Sequence, residues 1–187
     1  MFALITKETE ARGGDVGAGI AAAVRWAAAN LPVYALNLVL TTETDMWALR
    51  YPDTNGLFVL EWVPDGSRER RRLDIASSVG SVRVRFEDPA EAPVVVVTSQ
   101  RMDDNPGWRS LDPGELLHVD EKLNVTSTIA VDGPPAQPLT RADLGPRAAA
   151  SQSEDSRPPA KALGTAPARP SAELRRDTGH ERRSVQG

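Results

Sequence analysis

A layered α+β fold is predicted by three observations on this 187-residue chain. Helical periodicity is confined to the first thirty or so residues, a run of short β-rich segments separated by turn text follows, and aromatic residues stop before Gly145. Residues 1–8 carry Phe2, Leu4 and Ile5 at helical spacing with no capping residue ahead of them, so they read as the end of a helix whose start is absent. Gly13-Gly14-Asp15 breaks that helix. Asp15 is a suitable N-cap for a second helix running to about Asn30, on which Val16, Ile20, Ala23, Val24 and Ala27 form an apolar stripe near the 3.6-residue period. Pro32 ends it. Strands are expected at 33–42, 45–51, 57–63, 82–86, 94–99, 116–119 and 124–130, punctuated by Glu-Thr-Asp, Pro-Asp-Thr-Asn-Gly and Asp-Pro turns. No internal repeat at a solenoid period is present.

Composition divides the chain at residue 144. All nine aromatic residues precede Gly145, and beyond it the large apolar side chains are Leu163, Leu174 and Val185 alone. A stretch so poor in apolar surface cannot offset roughly 1 to 2 kcal/mol of backbone entropy per residue, so 145–187 is expected to be a disordered Pro/Ala/Arg-rich tail. Residues 1–144 hold 14 Lys+Arg against 21 Asp+Glu, net −7, and the tail holds 8 against 5, net +3, which together give −4. An acidic body argues against nucleic acid as a partner. No apolar run reaches the ~18 residues of a membrane span, and no signal-peptide pattern opens the chain, so no membrane association and a cytoplasmic location are expected. The absence of cysteine removes disulfides, thiolate zinc sites and thiol chemistry together. Asn124-Val125-Thr126 matches a glycosylation sequon, but without secretion it is strand text.

Several residues invite a functional reading and are better served by a structural one. Gly17-Ala18-Gly19-Ile20-Ala21-Ala22 fits a loose dinucleotide fingerprint, yet polar Gly-rich text precedes it where a buried strand should deliver the helix to a pyrophosphate. A helix start rich in small residues is the better account. Asp103 and Asp104 could serve a hard cation, but consecutive carboxylates ahead of Asn105-Pro106-Gly107 suit a solvated turn. His118, the only histidine of the expected folded part, lies between Leu117 and Val119 and should point away from them; a surface or edge-strand position is the default. A triad of Ser99, His118 and an Asp has no motif behind it. Arg68, Arg70, Arg71 and Arg72 read as a solvated loop. The four Trp read as core and lid packing, since no Lys/Arg groove interleaves them.

The most informative text is Val94 to Val119, VVVVTSQRMDDNPGWRSLDPGELLHV. Four β-branched residues, a polar turn, Trp108, a Pro113-Gly114 turn and Leu116-Leu117-His118-Val119 follow in order. This block resembles the C-terminal half of the class II glutamine amidotransferase domain, in the compact single-domain branch that includes the ergothioneine-pathway γ-glutamyl amidohydrolase. Gln100 and Arg101 depart from it, standing where Glu and Pro are usual. The resemblance also takes in Asn37-Leu38-Val39-Leu40-Thr41-Thr42 with Trp47-Ala48-Leu49-Arg50-Tyr51, the strand around 57–62, and the wrap from Asp132-Gly133-Pro134-Pro135 to Leu144, about three quarters of the chain.

The resemblance implies a partial αββα N-terminal-nucleophile hydrolase sandwich over 1–144, with antiparallel sheets and one or two helices. It also implies hydrolysis of glutamine or a γ-glutamyl amide by an N-terminal Cys whose own amine is the base. That Cys, the Asn-Gly oxyanion pair, the Arg clamp and the substrate-binding Asp would all lie upstream of Met1. No residue here is therefore assigned a catalytic, cofactor-binding or metal role, and the chain alone is expected to be inactive. Ergothioneine intermediates are the substrates this branch implies. The alternative is a non-catalytic half-domain or partner-binding scaffold completed by another chain. Removal of half the sandwich would leave a sheet face carrying Val39, Val95 and Val97 exposed, and either the upstream half or a partner chain is expected to cover it.

Overall fold

The computed structural model describes residues 1–62, 73–76, 83–86 and 93–152. Helix α1 spans Phe2–Glu10 and α2 spans Val16–Asn30. The strands are β1 (Pro32–Val33), β2 (Leu38–Thr41), β3 (Met46–Leu49), β4 (Phe58–Trp62), β5 (Leu73–Ala76), β6 (Arg83–Phe86), β7 (Val94–Thr98), β8 (Trp108–Ser110), β9 (Glu115–Val119), β10 (Val125–Ile129) and β11 (Gln137–Pro138). A 3₁₀ turn at Arg141–Asp143 and helix α3 at Pro146–Ser151 follow.

Asp15 caps α2 as its side chain predicts, accepting the Ala18 N–H at 2.9 Å. The buried face of α2 holds Ile20, Ala23, Val24 and Ala27 from the expected stripe, joined by Gly19, Ala21 and Ala28. Gly13 and Gly14 turn the chain back with φ of +67° and +95°, which packs α1 against α2. Gly19 is what lets the two helices approach. A Cβ there would fall 2.1 Å from Thr9 Oγ1 and 2.8 Å from the Thr9 backbone nitrogen.

Two antiparallel sheets carry the body. The first has the order β10-β9-β3-β2, and its register aligns Leu40, Trp47, His118 and Thr126 in one row and Val39, Ala48, Leu117 and Ser127 in the next. Alternate rows face opposite sides. One face, with Trp47, Leu49 and Leu116, packs under Ile20, Val24 and Ala28 of α2 and Ile5 of α1. The other face, with Ala48, Leu117 and Val119, meets the second sheet, β7-β4-β8, through Val59, Leu57, Leu111, Val95 and Val97. Each fully buried Leu or Val in that interior contributes about 1.5 to 3 kcal/mol. Leu60, Trp62, Met102 and Trp108 form a third cluster with Phe58, Val94 and Val96, whose β4 and β7 members alternate with the inward-facing Val59, Val95 and Val97. The layers thus run helices, sheet, sheet, an α+β arrangement.

Several expectations are corrected. The strand expected at 33–42 is two pieces: Pro32–Val33 pairs in parallel with Gln137–Pro138, and only Leu38–Thr41 joins the main sheet. The break comes at Asn37, whose side chain is committed to loops: it accepts the Tyr51 N–H at 3.2 Å and donates to the Gly56 carbonyl at 3.0 Å. Strands Trp108–Ser110 and Leu73–Ala76 were not expected, and residues 63 and 82 of the expected strands lie outside the described residues. Val95 and Val97 are packed into the inter-sheet interior, so of the three valines expected on an uncovered face only Val39 is exposed, at 52%. Two α-helices lie within 1–144, within the one or two expected there, while helix α3 falls inside the segment expected to be disordered; residues 153–187 lie outside the described residues.

Replacing Gly19 by Ala should drive a methyl group into the Thr9 backbone and lower stability by about 1 to 3 kcal/mol, read by urea denaturation. An unchanged midpoint would mean that α1 does not cross α2 at this residue.

Candidate functional site

Strand β9 presents different chemistry to its two sides. Leu116 and His118 face the helices; Glu115, Leu117 and Val119 face the second sheet. His118 is therefore on an inner strand, flanked by β10 and β3, not on an edge. It does project opposite to Leu117 and Val119, as strand alternation requires. Its ring stacks on Trp47 from the neighbouring strand, centroids 4.8 Å apart and planes 12° from parallel. Nε2 lies 2.7 Å from Asp45 Oδ1, so a proton on Nε2 is donated to the carboxylate. The Thr44 hydroxyl donates to the other carboxylate oxygen at 2.5 Å. These two hydrogen bonds, from Thr44 first and His118 second, hold the Asp45 carboxyl below its usual range.

Beside this pair runs a groove of about 560 Å³ between α2 and β10. Asp15, Gly17, Ala21 and Arg25 form its helical wall, Trp47 and His118 its floor, and Thr126 and Thr128 its far side. Arg25 closes one end, its Nε donating to the Ala130 carbonyl at 2.7 Å. Asp45 thus orients an imidazole at the floor of the groove. Ser99 does not complete it, because that residue follows β7 in the other sheet and His118 is joined to Asp45 instead. Thr126 is the hydroxyl in register with His118, with no hydrogen bond between them.

A buried acid lies elsewhere. Glu115 is 3% exposed and lies between the sheets, where Arg109 of β8 reaches across to it at 2.9 Å and the Asp112 N–H donates to Oε2 at 2.7 Å. Arg109 Nη1 is equidistant from both oxygens, but its hydrogen bond goes to Oε2, and Oε1 has the ionic contact alone. Burial by itself would raise the Glu115 carboxyl; hydrogen bonds from Arg109 and the Asp112 N–H outweigh it and leave the group below its usual range. The same pairing raises Arg109.

The other residues singled out by sequence take structural roles. Asp103 accepts both the Asn105 N–H at 3.1 Å and the Trp108 indole N–H at 2.6 Å, so the acidic turn orients a buried tryptophan. Asp104 is exposed. Trp47, Trp62 and Trp108 are buried, while Trp26 is half-exposed. The glycine text at 17–22 lies within α2, preceded by a helix and a Gly-Gly turn. Arg101 sits over the Phe58 ring at 5.7 Å. Arg68, Arg70, Arg71 and Arg72 lie outside the described residues. Among the described residues no three His, Cys, Asp or Glu side chains gather as metal ligands would, and no helix is long and apolar enough to cross a membrane.

The Asp45–His118 pair and Glu115–Arg109 were missed by sequence reasoning. Only the alternation of β9 could have signalled that Glu115 faces inward, and nothing local marks Asp45 as the histidine's partner. Comparison with known proteins adds no family: a scan against protein-family models finds no match, and neither does a search of curated proteins.

The Glu115 carboxyl has its pKa lowered by folding, so the stability it adds is present above its unfolded value near 4.5 and is lost as pH falls through the lower folded value. Glu115→Gln should cost about 1 to 3 kcal/mol between pH 6 and 8. The gap from the parent protein should narrow below about pH 4.5. Urea denaturation across that range measures it, and a gap that widens in acid would contradict the assignment.

Proposed function

We propose that residues 1–144 are the C-terminal part of a class II glutamine amidotransferase domain, a hydrolase of γ-glutamyl amides in its complete form. The observation that carries the reading is the order of layers. Two helices, a four-stranded antiparallel sheet and a three-stranded antiparallel sheet stack in sequence, and the quoted motifs fall at their joints. Asn37 ties the start of β2 to the loop before β4. Arg50 donates to the carbonyls of Asn55 at 3.0 Å and Leu111 at 2.7 Å, and pairs with Asp53. Asn105-Pro106-Gly107-Trp108 turns the chain into β8, with the Gly107 N–H held by Asn105 Oδ1 at 2.8 Å.

The chemistry of this reading is attack on an amide carbonyl by a thiol whose neighbouring amine takes the proton. The chain contains no cysteine, so the thiol and the groups that hold the substrate come from residues outside this sequence. What the described residues contribute is the platform: a rigid sheet stack that positions a nucleophile strand. His118 and Asp45 are given no part in that step. A second reading, a non-catalytic half-domain completed by another chain, is favoured by one observation, the exposure of β10 on both faces from Thr126 to Ile129.

The DNA preceding the Met1 codon tests the first reading. A reading frame continuous with Met1 and opening on Met-Cys is expected, and the longer product should release glutamate from glutamine or a γ-glutamyl amide while the 187-residue chain releases none. An in-frame stop codon directly ahead of Met1 contradicts the first reading and leaves the second. Glutamate release by the shorter chain itself would overturn the assignment of the nucleophile to residues outside it.

A further inference from the structure

We propose that the chain pairs with a second copy of itself through β10, joining two four-stranded sheets into one of eight.

Strand β10 has one paired side. Asn124 accepts from the Asp120 N–H through its carbonyl, and the Ala130 N–H donates to the Gly114 carbonyl, so the even-numbered residues of this segment point their backbone groups toward β9. The Arg50 N–H donates to the Glu115 carbonyl, which fixes the odd-numbered residues of β9 as those paired with β3 and agrees with that phase. Val125, Ser127 and Ile129 therefore direct their N–H and C=O groups outward. Among the described residues nothing pairs with them. Such an edge is normally guarded by a charge, a proline or a bulge, and Asn-Val-Thr-Ser-Thr-Ile-Ala over 124–130 has neither charge nor proline. Ile129 is 56% exposed, and four of the five residues of the strand are β-branched.

The sequence of the strand specifies the occupant. Val125-Thr126-Ser127-Thr128-Ile129 reads nearly the same in both directions. A two-fold axis through Ser127, perpendicular to the sheet, sets Val125 opposite Ile129 of the second copy, Thr126 opposite Thr128, and Ser127 opposite itself. Apolar β-branched pairs and Thr–Thr pairs are among the favourable cross-strand combinations. In that register the outward groups of Val125, Ser127 and Ile129 meet as hydrogen-bonded pairs. The same axis keeps faces matched, helices beside helices and second sheet beside second sheet, as an isologous contact requires. Charge agrees as well. Asp15 lies at one end of the groove beside β10 and Arg25 at the other, bonded to the Ala130 carbonyl, so reversing one copy against the other brings the acidic end of each groove to the basic end of its neighbour.

Sedimentation velocity of the full chain, 20.1 kDa, from about 1 to 100 µM tests this. A monomer–dimer equilibrium is expected. Thr126→Lys combined with Thr128→Lys places like charges opposite one another twice across the axis, and should weaken the dimer about tenfold or more. Thr126→Lys combined with Thr128→Glu places opposite charges there, and should return the dissociation constant to within about threefold of the parent. Amide exchange at Ser127 and Ile129 should slow as protein concentration rises, whereas Thr128, already bonded to β9, should not respond; this reading needs no variant to fold. A parent that stays monomeric, a dimer indifferent to both pairs of substitutions, or a Lys/Glu variant as weak as the Lys/Lys one would each overturn the proposal.

Discussion

The inter-sheet interior is the constraint on which the rest depends. Ala48 and Leu117, adjacent on β3 and β9, are fully buried, and so is Leu111 on the chain that leads out of β8; together with Val59 and Val119 they hold the two sheets face to face. Because side chains alternate along a strand, that contact dictates everything on the reverse of the first sheet. With Leu117 inward, His118 must lie on the helix side, stacked on Trp47 and within reach of Asp45. A slip of one residue would bury an imidazole between the sheets and present Leu117 to α2. The position of the groove, the environment of the histidine and the phase of β10 are consequences of one packing choice.

Polar groups then lock the loops that enter and leave this interior. Glu115 is a charged residue buried between the sheets, and it is held by Arg109 from the opposite sheet and by the Asp112 N–H. Burying a carboxylate without such partners would be strongly unfavourable. Asn37 and Arg50 do the corresponding work at the other turns, satisfying the carbonyls of Asn55, Gly56 and Leu111. Gly114 permits the tightest approach among the described glycines. Its φ is +81°, and a Cβ there would lie 1.8 Å from the Val131 carbonyl oxygen, so no other residue fits the turn into β9.

Elements built from local rules were legible in the sequence. The Asp15 cap, the α2 stripe, the β-branched run of β7 and the Asp103–Gly107 turn each follow from chemistry within a few residues, and the structure has them. What escaped depends on contacts between distant residues. Strand β8 is three residues long and exists because β4 pairs with it. The interruption of the first expected strand depends on Asn37 finding a loop 18 and 19 residues away. Asp45 and His118 are 73 residues apart, and Arg109 meets Glu115 only when two sheets stack. The proposed reaction class rests on a family resemblance read from motifs in order, and no local rule carries it.

Nuclear Overhauser contacts between methyl groups across the sheets read this packing. Leu117 methyls should show contacts to the network containing Val59 and Leu111, and the His118 ring should show them to Trp47. Contacts from Leu117 to Val24 or Ile20 of α2 instead would contradict the register, and with it the stacked sheets, the groove and the open edge.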